Sequence, residues 1–164
     1  MKGHATLMST QTDEWETPQA FFDKLDLEFG FFDCDVAASG ENAKCSDWFG
    51  PTHPNPNLRD GLSIHWYDLP SKHEYPRCWM NPPYSRGLQA KFIRKAAQER
   101  LRGVLTVALL PARTDTKVFH ECIYNASRWQ ARTGVEIRLL PGRLKFGGAT
   151  NSAPFPSMIV VFRP

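Results

Sequence analysis

No stretch of this sequence is both long and apolar enough to cross a membrane, and no basic N-terminal segment leads into an apolar run of the secretory kind. A cytoplasmic address with no membrane partner is the expectation. Cysteine is scarce and never spaced as Cys-x-x-Cys. Cys34, Cys45, Cys78 and Cys122 each sit beside apolar or aromatic residues, which predicts buried free thiols rather than a disulfide framework. No metal is expected, although His65, His73 and Cys78 leave zinc open, and the histidines follow no spacing that suggests general-base work. No internal repeat or low-complexity run interrupts the chain. Its 164 residues suit one domain, expected over 14–164 after a loose polar arm at 1–13, with little room for a separate recognition domain. No obligate protein partner is inferred.

Nor is there a large excess of either charge, since the net charge is +3. The positive charge is nevertheless concentrated: between 86 and 102, Arg86, Lys91, Arg94, Lys95, Arg100 and Arg102 stand against Glu99 alone. Such a stretch fits contact with phosphates. Taken by itself, a solvated helix face explains it equally well.

What is present reads as alternating helices and strands. Thr17 can cap a helix beginning at Pro18, with Phe21, Phe22, Leu25 and Phe29 on one side and Gly30 as its stop. Phe31 to Val36 predicts a short strand, followed by a small-residue turn, Ala37-Ala38-Ser39-Gly40. Prolines at 51, 54 and 56 predict irregular structure over 40–62. Arg77 to Met80 predicts a buried strand, and 87–102 an amphipathic helix with Phe92, Ile93, Ala96, Ala97 and Leu101 inward. Val104 to Leu110 is an apolar run suited to a central parallel strand. Thr114 or Asp115 can cap a further helix, and strands at Val135 to Leu140 and Ser157 to Arg163 close the chain. The order predicts a three-layer α/β sandwich, with ligands bound beyond the carboxyl ends of its strands.

One such end carries Asn81-Pro82-Pro83-Tyr84. An amino group on an aromatic ring is a poor nucleophile because its lone pair is delocalised into the ring. An Asn side-chain oxygen and a main-chain carbonyl accepting both amine hydrogens favour a pyramidal nitrogen with its lone pair exposed. Asn81 and the Pro82 carbonyl supply that pair of acceptors, two prolines stiffen the loop, and Tyr84 offers a face for a flipped-out base. A plain turn after a strand is the alternative, because Asn and Pro are common turn residues. The apolar strand before it and the basic helix after it favour a methyl-transfer clamp acting on nucleic acid.

Taken in order, several stretches resemble the phage-type DNA N-6-adenine methyltransferase (Dam) family from about Asp13 to Phe162. They are Asp13-Glu14-Trp15-Glu16-Thr17-Pro18, Phe31 through Ser39, Asp60-Gly61-Leu62, Asn81-Pro82-Pro83-Tyr84, Leu110 through Thr116, Gly142 through Phe146 and Ala153 through Ser157. The resemblance implies a Rossmann-like methyltransferase fold with a mostly parallel sheet and a terminal antiparallel strand, S-adenosylmethionine (SAM) as donor and adenine in DNA as acceptor. It implies that Trp15, Thr17 and Pro18 border the methionine end of SAM, that Asp35, Ala37, Ala38 and Ser39 form the SAM loop, and that Asp60 meets the cofactor's adenine amine. The loop departs from the DPFAGSG form of related enzymes. For the cofactor ribose the only candidate acid is Asp47. Arg86, Lys91, Arg94, Lys95, Arg113, Arg143 and Lys145 are the expected DNA contacts, while Phe146 and Phe155 are expected in the core. The rival readings are a methyltransferase acting on RNA or on a protein glutamine, and a DNA-binding protein of the same fold without catalysis.

Overall fold

The computed structural model describes residues 15–85, 87–147 and 149–164. The expected arm at 1–13 and Arg86 lie outside them. Strands β1 (Cys34–Asp35), β2 (Arg77–Met80), β3 (Leu105–Pro111), β6 (Val135–Leu139) and β7 (Ser157–Phe162) form a mixed five-stranded sheet in the order β1-β2-β3-β7-β6. The first three run parallel, whereas β7 is antiparallel to both β3 and β6. The last strand is thus inserted into the sheet, and β6 forms the edge. A hairpin of β4 (Tyr124–Asn125) and β5 (Gln130–Ala131) was not foreseen, because strands of two residues carry no readable alternation.

Side-chain alternation divides the core into two faces. Leu105, Val107 and Leu109 of β3 pack with Trp79, Ile159 and Val161 beside helix α1 (Gln19–Glu28). Cys78, Met80, Ala108, Leu110, Met158, Val160 and Phe162 face the other way, toward α2 (Leu88–Glu99) and α3 (Lys117–Cys122). All seven residues of β3 are buried, as expected of a central strand covered on both sides.

Several element ends differ from the sequence reading. Pro18, not Thr17, holds the N-cap position of α1, and no side chain caps that helix. Gly30 and Phe31 both adopt positive φ, so the chain turns sharply and β1 shrinks to two residues, leaving Phe31 exposed. The basic helix ends at Glu99 and tightens into a 3-10 turn, Arg100–Arg102, before Gly103 at φ 96°. That change of pitch swings Leu101 outward to 77% exposure. Helix α3 begins after Thr116, whose hydroxyl bonds the Arg113 carbonyl. Segment 40–62 is irregular, with a 3-10 turn at Pro56–Leu58 and a bridge from Trp48 to Asp35.

Candidate active site

Parallel β1, β2 and β3 end on one edge of the sheet, and the residues just beyond them are Val36–Ser39, Asn81–Tyr84 and Arg113. Ser157 pairs with Pro111 at that edge, so the loop joining β6 to β7 rises there too. A cleft of about 220 Å³ opens between these segments. Trp15, Thr17, Asp35, Ala37, Ala38, Ser39, Asp60, Asn81, Pro82 and Pro83 all border it. Pro18 and Asp47 do not; the Asp47 carbonyl instead accepts the Asp35 N–H at 3.0 Å.

At the end of β1, Asp35 is 3% exposed. Its two carboxylate oxygens accept the Ala37 N–H at 3.3 Å and the Lys44 N–H at 3.1 Å. Burial nevertheless outweighs those bonds and pushes the carboxyl up to about 6. The loop after it is held by the Asn42 side chain, which accepts the Ser39 N–H at 2.7 Å. Ser39 and Trp79 border the cleft, and their Oγ and Nε1 are buried with no partner among the described residues. Asp60 is exposed and closes a turn by accepting the Leu62 N–H at 3.0 Å.

The glycines that matter lie outside the small-residue loop. A Cβ on Gly50 would stand 1.6 Å from the Ala38 carbonyl oxygen, and one on Gly61 2.2 Å from that of Val36. Close backbone approach is therefore supplied from across the loop, a relation invisible to local reading. Lys44 was likewise missed. Its side chain, 6% exposed, borders the cleft with Nζ 3.2 Å from Glu16 Oε1 and 3.2 Å from Gln19 Oε1.

Beyond β2, Asn81 Nδ2 donates to the Trp15 carbonyl at 2.6 Å and to Thr17 Oγ1 at 3.0 Å. Asn81 Oδ1 accepts the Tyr84 hydroxyl at 3.2 Å. Tyr84 is only 8% exposed, contrary to the expected open stacking face. It packs with Trp15, Phe146 and Phe155, their ring centroids 6.4, 6.4 and 5.5 Å away. Burial pushes its phenol up and the charge of Arg113 opposes that shift.

The cations divide into two groups. Lys91, Arg113, Arg143 and Lys145 are exposed. Lys95 instead makes a 2.7 Å pair with Glu99, the side chains 12% and 2% exposed, and lies over the Trp66 ring. Arg94 is held by Glu121 through two bonds of 3.1 and 2.8 Å. Helix α2 therefore does not present its charges as one uniform platform. Cys34 and Cys78 are buried, Cys45 and Cys122 half-buried, and burial raises all four thiols. Among the described residues no group of three His, Cys, Asp or Glu side chains is placed to hold a metal, and no helix is long and apolar enough to cross a membrane.

A family model described as DNA N-6-adenine-methyltransferase (Dam) matches residues 4–164. The chain belongs to this family. The Dam family is one of adenine-specific DNA methyltransferases, and two phage relatives carry the same description. The DNA N-6-adenine-methyltransferase of Haemophilus phage HP1 (strain HP1c1) is 30% identical over 153 residues, 93% of this chain and 79% of that protein. That of Escherichia phage T1 is 31% identical over 115 residues, 70% of this chain and 42% of that longer protein.

Proposed function

We propose that this Dam-family chain transfers a methyl group from SAM to the exocyclic amine of adenine in DNA, using Asn81-Pro82-Pro83-Tyr84 as the amine clamp of a Rossmann-like fold. One observation carries the reading: a single cleft joins the buried Asp35 and its loop to Asn81, Pro82 and Pro83. The family favours DNA over RNA or a protein glutamine as acceptor.

The donor side suits SAM. A cationic ammonium beside Asp35 would restore the ionised form that burial disfavours. Ser39 Oγ and Trp79 Nε1 have hydrogen-bonding capacity left to use, and the tight approach of Gly50 and Gly61 holds the loop under them. Asp60 is the residue we assign to the cofactor's adenine amine, and Trp15 and Thr17 wall the cleft next to the clamp. Bound there, SAM supplies an electrophilic methyl group on a sulfonium.

The remaining work falls to the protein. Asn81 Oδ1 and the Pro82 carbonyl accept the two amine hydrogens of a flipped adenine and draw the nitrogen lone pair out of the ring. The Tyr84 hydroxyl, which holds Asn81 Oδ1 in this state, gives way to that amine. No strong base is needed beforehand, because the amine proton becomes acidic only once the nitrogen carries positive charge; Asn81 or water then passes it on. Lys91, Arg113, Arg143 and Lys145 are the cations we assign to DNA, whereas the pairing of Arg94 and Lys95 directs them to the fold.

Expression in a host lacking adenine methylation, followed by genome-wide mapping of modified adenines, tests the proposal. Methylated adenines in a defined sequence context are expected. A folded, SAM-binding protein that leaves the genome unmodified would overturn it, and DNA binding without any heat from SAM would favour the non-catalytic rival.

A further inference from the structure

We infer that Thr17 is a positioning residue for methyl transfer: its hydroxyl, together with the Trp15 carbonyl, locks the Asn81 carboxamide with Oδ1 toward the acceptor. The inference rests on the clamp reading above. A carboxamide has two faces of opposite character, and rotation by half a turn exchanges them. Flipped, Asn81 would offer two N–H donors to an adenine amine that is itself a donor, and no acceptor would remain to draw out the lone pair.

Two oxygens prevent that rotation. The Trp15 carbonyl lies 2.6 Å and Thr17 Oγ1 3.0 Å from Nδ2, so both amide hydrogens are engaged by the segment that precedes α1. Thr17 is 2% exposed, which places its bond to Asn81 where water does not compete. The reversed amide would set Oδ1 against the Trp15 carbonyl oxygen and leave two acceptors facing each other without a hydrogen between them. Donation by Nδ2 also shifts electron density onto Oδ1, strengthening it as an acceptor. The absence of any side-chain cap on α1 fits this use of Thr17, whose hydroxyl is turned to Asn81 instead. Because Trp15 and Thr17 also border the cleft, the donor pocket and the amide lock share one short segment.

The test uses the full chain, labelled SAM and genomic DNA lacking adenine methylation, with enzyme in excess. Thr17→Val keeps the shape and removes the acceptor. Measured at saturating SAM, so that any change in affinity carried by a cleft-wall residue is removed, it should lower the single-turnover rate by about tenfold or more. Thr17→Ser should restore most of the rate. A Thr17→Val rate at saturating SAM within about twofold of the parent, or a Thr17→Ser rate as low as that of Thr17→Val, would overturn the inference.

The unmodified protein supplies a second readout that does not depend on the Thr17 variants folding. With 15N-asparagine labelling, the Asn81 side-chain NH2 signals, assigned by their loss in Asn81→Ala, should exchange slowly with solvent. Exchange as fast as that of an exposed asparagine amide would overturn the lock. Full transfer by Asn81→Ala would instead overturn the clamp itself, so the two failures are distinguishable.

Discussion

Asn81 and Asp35 stand just beyond and at the ends of neighbouring parallel strands, but their surroundings are completed differently. Asn81 has both amide hydrogens and its oxygen engaged by Trp15, Thr17 and Tyr84. Around Asp35 burial disfavours the ionised carboxylate, and Ser39 Oγ and Trp79 Nε1 find no partner among the described residues. The Asn81 carboxamide is thus held in one orientation. The surroundings of Asp35 are left short of polar partners among the described residues, which suits the polar, cationic ligand proposed above.

The strongest way to break this contrast is Asn81→Ala. Removing the fixed acceptor should lower methyl transfer by about 10²-fold or more, with SAM affinity within about threefold in calorimetry. Loss of SAM heat in that variant would mean that the two sides are not separable.

Asp35→Asn should act in the opposite way, weakening SAM binding by about 10-fold to 100-fold through loss of a buried charge partner. The pH dependence sharpens the point. Burial raises the folded Asp35 to about 6, so protonation stabilises the ligand-free fold at low pH and that contribution is lost as pH rises through about 6. A cationic ligand favours the ionised form. SAM affinity should therefore increase between about pH 5 and about pH 7 and level off above, and Asp35→Asn should flatten the curve. An unchanged slope in that variant would remove Asp35 from ammonium binding.

The same division applies to the cations. The Arg143→Ala/Lys145→Ala double variant should weaken DNA binding by about tenfold and reduce its salt slope by about 2, measured by fluorescence anisotropy across ionic strengths. Lys95→Met should leave DNA affinity alone and lower the melting temperature, because Glu99 would be left buried without its counter-charge. Equal salt slopes in the two variants would contradict the separation. The smallest effect is expected from Ser39→Ala, a loss of SAM affinity of about fivefold for one neutral hydrogen bond.

Much of this architecture was legible in the chain. The apolar run at 104–110 announced a central strand, and Asn81-Pro82-Pro83 after a buried strand and the acid before Ala37-Ala38-Ser39 do border one cleft. Periodicity failed where tertiary contacts set the outcome. Thr17 looks like a helix cap because Pro18 follows it, yet its partner is Asn81. Gly50 and Gly61 owe their importance to carbonyls on another segment, and Lys44 lies in a stretch with no periodic pattern. The run of positive charge between 86 and 102 looked continuous, but helix geometry sends Lys95 toward Glu99 and Trp66. A helix distributes successive residues around its axis, so a linear charge cluster is not a surface patch.

The most direct measurement is the identity of the methylated product. Adenine-unmethylated DNA is incubated with the full chain and methyl-labelled SAM, digested to nucleosides and separated. The account predicts that the label runs with N6-methyladenosine of the deoxy series. Label on cytosine, label retained by protein, or no transfer by a chain that binds SAM would contradict it.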